Sequence, residues 1–154
     1  APNPGSPLSV ADMSQSVYFN GVDYPMTIVR GYVVNQSESV LRNIRVRGQL
    51  TRDGEVVATL EAPAGRRLNQ DELDTITEPA QLNVLYEQVA SEASDTLLRN
   101  NQSMPFSLVF LGEHPSGPND QLTYDVELAG AEIQTRQIIW RNLTFTEAGV
   151  QASP

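Results

Sequence analysis

Cysteine and lysine are both missing from the 154-residue chain, and histidine and tryptophan occur once each. Without cysteine there are no disulfides, no thiolate metal sites and no cysteine nucleophile. The compartment stays open on this count, because a domain of this size holds together by its core in a periplasm as well as in a cytoplasm. The missing lysine makes all ten basic residues arginine, a pattern read as GC-rich coding bias. No run of about 18 or more apolar residues occurs, so no membrane-spanning helix is expected within these residues, and no signal-peptide succession is recognisable. Phosphate loops, the GxSxG nucleophile elbow and the EF-hand spacing are missing as well. Positive charge is scarce: a formal net charge of -9 opposes a polyanion, so nucleic acid is not an expected partner.

What is present is mostly pattern. A hydrophobic content of 40% against 19% charged residues is too apolar for a disordered chain, and the length fits one domain. Residues 31–60 alternate apolar and polar side chains on both sides of Asp53-Gly54, a pair that favours a hairpin because glycine tolerates positive φ. On the first arm Ile44, Val46, Gly48 and Leu50 share one face and Arg45, Arg47, Gln49 and Thr51 the other. An earlier strand is expected over 27–35, where Gly31 marks a bulge or a close backbone approach. Later strands are expected from Pro105 through Phe110, from Leu122 through Leu128, and over 138–145, with Trp140 in the core or at the rim of a sheet.

Residues 68–93 break this rhythm. Asp71, Glu72 and Asp74 suit an acidic first helical turn, Pro79 suits the first position of a second helix, and Leu82, Leu85, Tyr86 and Val89 make one helical stripe expected to cap an end of the core. The expectation is therefore an all-β, immunoglobulin-like sandwich of about seven strands with a helical insertion around 70–93, a small barrel being the competing architecture. Residues 1–16, which open APNPGSP, read as a flexible leader left behind by something upstream, 17–148 as the single folded domain, and 149–154 as a frayed tail.

The succession GYVVN, DGEVVATLEAPAG, RRLNQDELDTI and NQSMPFSLVF resembles an uncharacterised bacterial domain family related to the FxLYD domains. The likeness covers roughly residues 26–128, and departs at Asn101-Gln102-Ser103, where relatives show a proline-glycine turn. In that family the domain follows a zinc ribbon and a transmembrane helix, notably in proteins of deltaproteobacterial type. The resemblance implies an immunoglobulin-like sandwich in the periplasm or on the extracytoplasmic face of the inner membrane, tethered by an upstream segment. It brings no catalytic residues with it.

Candidate sites are few. His114 beside Glu113 suggests an acid-base pair or a metal ligand, yet one imidazole without a second nitrogen or sulfur makes a poor zinc site, and both read as loop residues. Asp71, Glu72, Asp74 and Glu78 offer oxygens for calcium but lack its loop spacing, and read as a helix start. Arg42, Arg45, Arg47 and Arg52 surround the hairpin and could receive an acidic protein segment, with deterrence of stray strand pairing as the plainer role. Tyr86 on the helical stripe is a further partner-binding candidate, although core cover is the plainer reading. The N-x-S/T sequons at Asn35, Asn101 and Asn142 are read as chance.

From these residues the expected function is a non-enzymatic module that binds or scaffolds another envelope protein, without cofactor or metal. The competing expectations are a small envelope hydrolase acting through carboxylates near His114, and a carrier of a small apolar ligand between the sheets.

Overall fold

A computed structural model describes residues 8–117 and 119–134, together with the backbone of 145–147 and 150–153. In chain order these form β1 (Leu8–Phe19), β2 (Pro25–Asn35), β3 (Leu41–Arg52), β4 (Glu55–Pro63), α1 (Gln70–Asp74), α2 (Pro79–Ala93), β5 (Ser103–Leu111), β6 (Leu122–Ile133), β7 (Phe145–Glu147) and β8 (Val150–Ser153). One antiparallel sheet has the order β1-β2-β5 and the other β4-β3-β6. That is the A-B-E and C′-C-F order of an immunoglobulin-like sandwich. The all-β expectation holds, and among the described residues the sheets do not close into a barrel. Most of the strand expected over 138–145, including Trp140, lies outside the described residues.

Two boundaries need correction. The leader expected over 1–16 overlaps β1, which pairs with β2 from Leu8 opposite Asn35 to Phe19 opposite Pro25. A bulge between Ala11 and Ser14, with Asp12 at φ 54°, moves the inward side chains from Leu8 and Val10 to Met13 and Gln15. This change of parity hides the strand from any period-two reading. The tail expected to fray beyond residue 149 instead pairs as β8 with β7, its own upstream neighbour.

Gly31 faces that bulge. A Cβ there would collide with the Met13 sulfur and lie 3.1 Å from the Phe106 ring, so Gly31 serves a close approach. In the second sheet Gly48 does the same, because a Cβ would sit 2.5 Å from Leu108 Cδ1 and 3.3 Å from Phe110. These contacts place Phe106, Leu108 and Phe110 of β5 between the sheets, against Val46 and Leu50 of β3, and all five are buried. Asp53 and Gly54, at φ 53° and 83°, make the two-residue turn that joins β3 to β4.

β5 from Phe106 to Phe110 and β2 from Met26 to Val29 are buried on both faces, unlike the alternating β3. The reason is the helical insertion. Asn69 and Glu72 cap α1 reciprocally, and Pro79 opens α2. The stripe expected to cap one end of the core lies against the free edge of β5. There the Tyr86 hydroxyl donates to Ser107 O at 2.9 Å and accepts from Val109 N at 3.0 Å, while Gly65 N donates to Pro105 O at 2.9 Å. Residues 105, 107 and 109 all turn their backbone groups to that edge, and the residue with no N–H to satisfy is a proline.

Two buried asparagines lock the loops to this insertion. Asn20 donates to the carbonyls of Leu73 and Ile76, at 3.0 and 2.7 Å, and accepts from the amides of Val22 and Tyr24. Asn35 donates to Ser39 O and Leu98 O, both at 2.8 Å, and accepts from Ser37. Each fills its amide's hydrogen-bonding capacity inside the protein.

Asn35→Ala removes four hydrogen bonds at a buried position, leaving Leu98 O with only its bond from Leu41 N, and is expected to lower stability by about 2 kcal/mol. Tyr86→Phe, which orphans the Val109 amide, is expected to cost about 1–3 kcal/mol. Urea denaturation measures both, and a midpoint equal to that of the parent in either variant contradicts the assignment.

Candidate functional site: the loop pole and the charged face

The outer face of β4-β3-β6 carries the arginine cluster. Arg45 Nε lies 2.9 Å from Glu61, and Arg47 reaches Glu61 and Glu127, both at 3.2 Å. Arg42 lies 3.3 Å from Glu132. In the ladder Arg47 is directly opposite Glu61 on β4 and Glu127 on β6, so one cation spans three strands. Arg45 first, and Arg47 after it, hold the Glu61 carboxyl below its usual value. The counter-ions of Arg42, Arg45 and Arg47 thus come from the same chain, three carboxylates for three guanidiniums, and an acidic segment from a partner would have to compete with them.

Arg52 belongs elsewhere, at the pole where the β1–β2 turn, the β3–β4 turn and the β5–β6 loop meet. Its Nε lies 2.9 Å from Asp120, its NH2 group donates to His114 O at 3.0 Å, and Glu113 is 3.6 Å away. It is therefore committed within the chain too. The Ser116 amide, followed by Arg52, holds Asp120 below the usual carboxylate range. A general acid needs the opposite shift. His114 and Glu113 do not form a pair: His114 Nδ1 lies 2.9 Å from Pro115 O, its ring meets Phe19 edge-on at 5.4 Å, and Thr27 Oγ1 donates to Glu113 O. An open depression of about 630 Å³ lies beside Arg52, lined by Asp53, Ser116, Gly117, Asn119 and Asp120.

The acidic helical segment also divides its residues among separate tasks. Glu72 completes the α1 cap and pairs with Arg66 at 2.7 Å, and Arg66 reaches Glu92 of α2 at 2.8 Å, which clamps one helix to the other. Asp74 accepts from the Tyr18 hydroxyl at 2.6 Å and from Gly21 N. Glu78 is the N-cap of α2. Among the described residues no group of three or more His, Cys, Asp or Glu side chains could hold a metal ion.

Tyr86 is corrected as a partner-binding residue. It is only 7% exposed, and its hydroxyl is spent on the β5 edge, with burial pushing its pKa up. The sequon at Asn35 is buried and its amide donors are used. Asn101 sits at φ 65° in a turn, and Asn142 lies outside the described residues.

Sequence reasoning passed over the most exposed apolar side chains of the pole, Phe19 at 53% and Val22 at 58%. Phe19 lies two residues past the expected start of the domain at residue 17 and ends β1. Its signal was an aromatic residue next to Asn20-Gly21, a turn-forming pair whose apolar neighbours are presented and not buried. Set against known proteins, the chain matches no family model, no curated protein and no solved structure.

Arg66 is the largest cause of the lowered pKa of both Glu72 and Glu92. A carboxylate whose folded pKa is lowered contributes stability above its unfolded pKa, about 4.3 for glutamate, and that contribution is lost as pH falls through the folded value. Arg66→Gln returns both groups toward the ordinary range, so its stability should fall less steeply than the parent's from about pH 5 to pH 3. Urea midpoints across that interval test this, and parallel curves would contradict it.

Proposed function

We propose that the protein is a non-enzymatic binding module, and that its recognition surface is the loop pole. The observation that carries this reading is the β1–β2 turn. Phe19 and Val22 stand exposed on a turn whose backbone is held by the buried Asn20 side chain. Ordering such a turn costs nothing further on binding, which favours affinity. Around these apolar side chains lie Asp23, Asp53, Glu113 and Asp120, with Arg52 already paired. An apolar centre with a charged rim is the usual anatomy of a protein interface. The sign of the rim selects a partner segment carrying basic residues, the reverse of the acidic segment that the hairpin arginines implied.

We further propose that this module works outside the cytoplasm, tethered to a bacterial inner membrane and bound to another envelope protein. Support comes from the family resemblance of its strand and turn order. A zinc ribbon and an apolar span encoded upstream in the full-length gene would agree with it, and a cytoplasmic enzyme domain in that position would argue against it.

Capture from envelope extracts with the purified protein should recover a partner with the parent chain and with Arg47→Gln, and lose it with Phe19→Asp. Binding should weaken as salt rises. The reading fails if capture is indifferent to Phe19→Asp, or if an activity screen finds turnover that His114→Ala or Glu113→Gln abolishes.

A further inference from the structure

Five arginines, Arg42, Arg45, Arg47, Arg52 and Arg66, pair with carboxylates of their own chain. Two others stand together without one. Arg30 and Tyr32 project from the outer face of β2, where Arg30 pairs in register with Ser14 on one side and Ser107 on the other. Arg67 is brought to this place by its neighbour, since Leu68 N donates to Ser107 Oγ at 3.1 Å. Its guanidinium lies over the Tyr32 ring, 4.8 Å from the centroid. Arg30 donates to the exposed Ser16 hydroxyl at 3.0 Å.

Among the described residues no carboxylate forms an ion pair with Arg30 or Arg67. Asp74, on the neighbouring helix α1, is held by Tyr18 and Gly21. Arg67 Nε is buried with no hydrogen-bond partner. Burial, and then the charge of Arg67, pull the Arg30 guanidinium below its ordinary value. Two like charges side by side on a chain of net charge -9 are an arrangement with a cost, offset within the chain only by the Tyr32 ring and the Ser16 hydroxyl and not by a carboxylate among the described residues.

We propose that Arg30, Tyr32 and Arg67 form a carboxylate-binding site for an acidic protein segment. Arg67, held over an aromatic ring, carries a planar fork that matches a planar carboxylate, and Arg30 supplies a second fork beside it. The acidity of the rest of the chain opposes densely charged surfaces such as nucleic acid or an anionic bilayer, and tolerates the sparser charge of a peptide. The site lies in the middle of β2, away from the loop pole, and stands whether or not the pole binds.

The test is a titration of the full chain with a labelled hexaglutamate peptide, with hexaglutamine as control and inorganic phosphate as competitor. The glutamate peptide should bind and the glutamine peptide should not. Arg30→Gln and Arg67→Gln should each weaken binding about tenfold or more, the equivalent of about 1.4 kcal/mol. Arg67→Lys keeps the charge without the fork and should fall between parent and glutamine variant, while Arg99→Gln should match the parent. Phe19→Asp should also match the parent, which separates this site from the pole. Binding unchanged in both glutamine variants overturns the proposal, as does phosphate displacing the peptide at equal concentration.

Discussion

The free edge of β5 is the constraint around which the molecule is arranged. β5 is buried on both faces, its backbone groups at residues 105, 107 and 109 turn away from β2, and among the described residues no strand meets them. A buried and unpaired edge carries a large penalty and invites pairing with another chain. Here the phenol of Tyr86 substitutes for a strand by accepting from one residue and donating to another, and Gly65 satisfies the next carbonyl along. Gly65 can do so because it is a glycine: at φ 153° it passes close to Ala93 of α2, where a Cβ would lie 2.8 Å from the alanine methyl. The helical insertion is thus more than decoration on a sandwich. It occupies the flank where an immunoglobulin-like sheet would continue with another strand, and it lets β5 and the first half of β2 be buried on both faces.

The legible and illegible parts of the sequence divide along physical lines. β3 was readable because one of its faces meets solvent, so its residues alternate. The Asp53-Gly54 turn was readable because few residue pairs adopt positive φ twice. β1 was not, because the bulge at Ala11 reverses its parity in mid-strand. Part of the internal pairing of the arginine face was hidden by a second bulge. From the turn outward the register pairs Arg52 with Glu55 and Thr51 with Val56, and an unbroken ladder would set Arg47 against Leu60. The irregularity between Leu50 and Thr51 shifts it by one and brings Glu61 opposite Arg47. A single inserted residue therefore decides whether Glu61 lies opposite Arg47, and no local pattern announces it. The Arg30–Arg67 pair was equally hidden, since its members are far apart in sequence and meet only through Ser107 of a third segment.

Charge in this protein is mostly spent on holding elements together. Arg66 bridges the two helices, Arg47 bridges three strands, and Arg52 pins the β5–β6 loop to the end of β3. Exposed pairs of this kind add little stability each, but they fix which loop lies against which strand. They also consume the carboxylates that chemistry would need: Asp120 is driven toward the charged form and His114 is turned to a backbone carbonyl. Among the described residues, Arg30 and Arg67 stand apart from this scheme, with no carboxylate in an ion pair with either.

Asn20 connects this division of labour to the core. Its carbonyl oxygen organises the turn that presents Val22, while its amide nitrogen grips the last carbonyls of the α1 segment. That segment is fixed in turn by Leu73 and Ile76, both buried in the core, and by the Arg66 clamp to α2. The geometry of the pole is consequently set by the same insertion that seals β5. Loosening α1 would free the Asn20 amide and the turn together, so rigidity of the β1–β2 turn and protection of the β5 edge arise from one piece of structure.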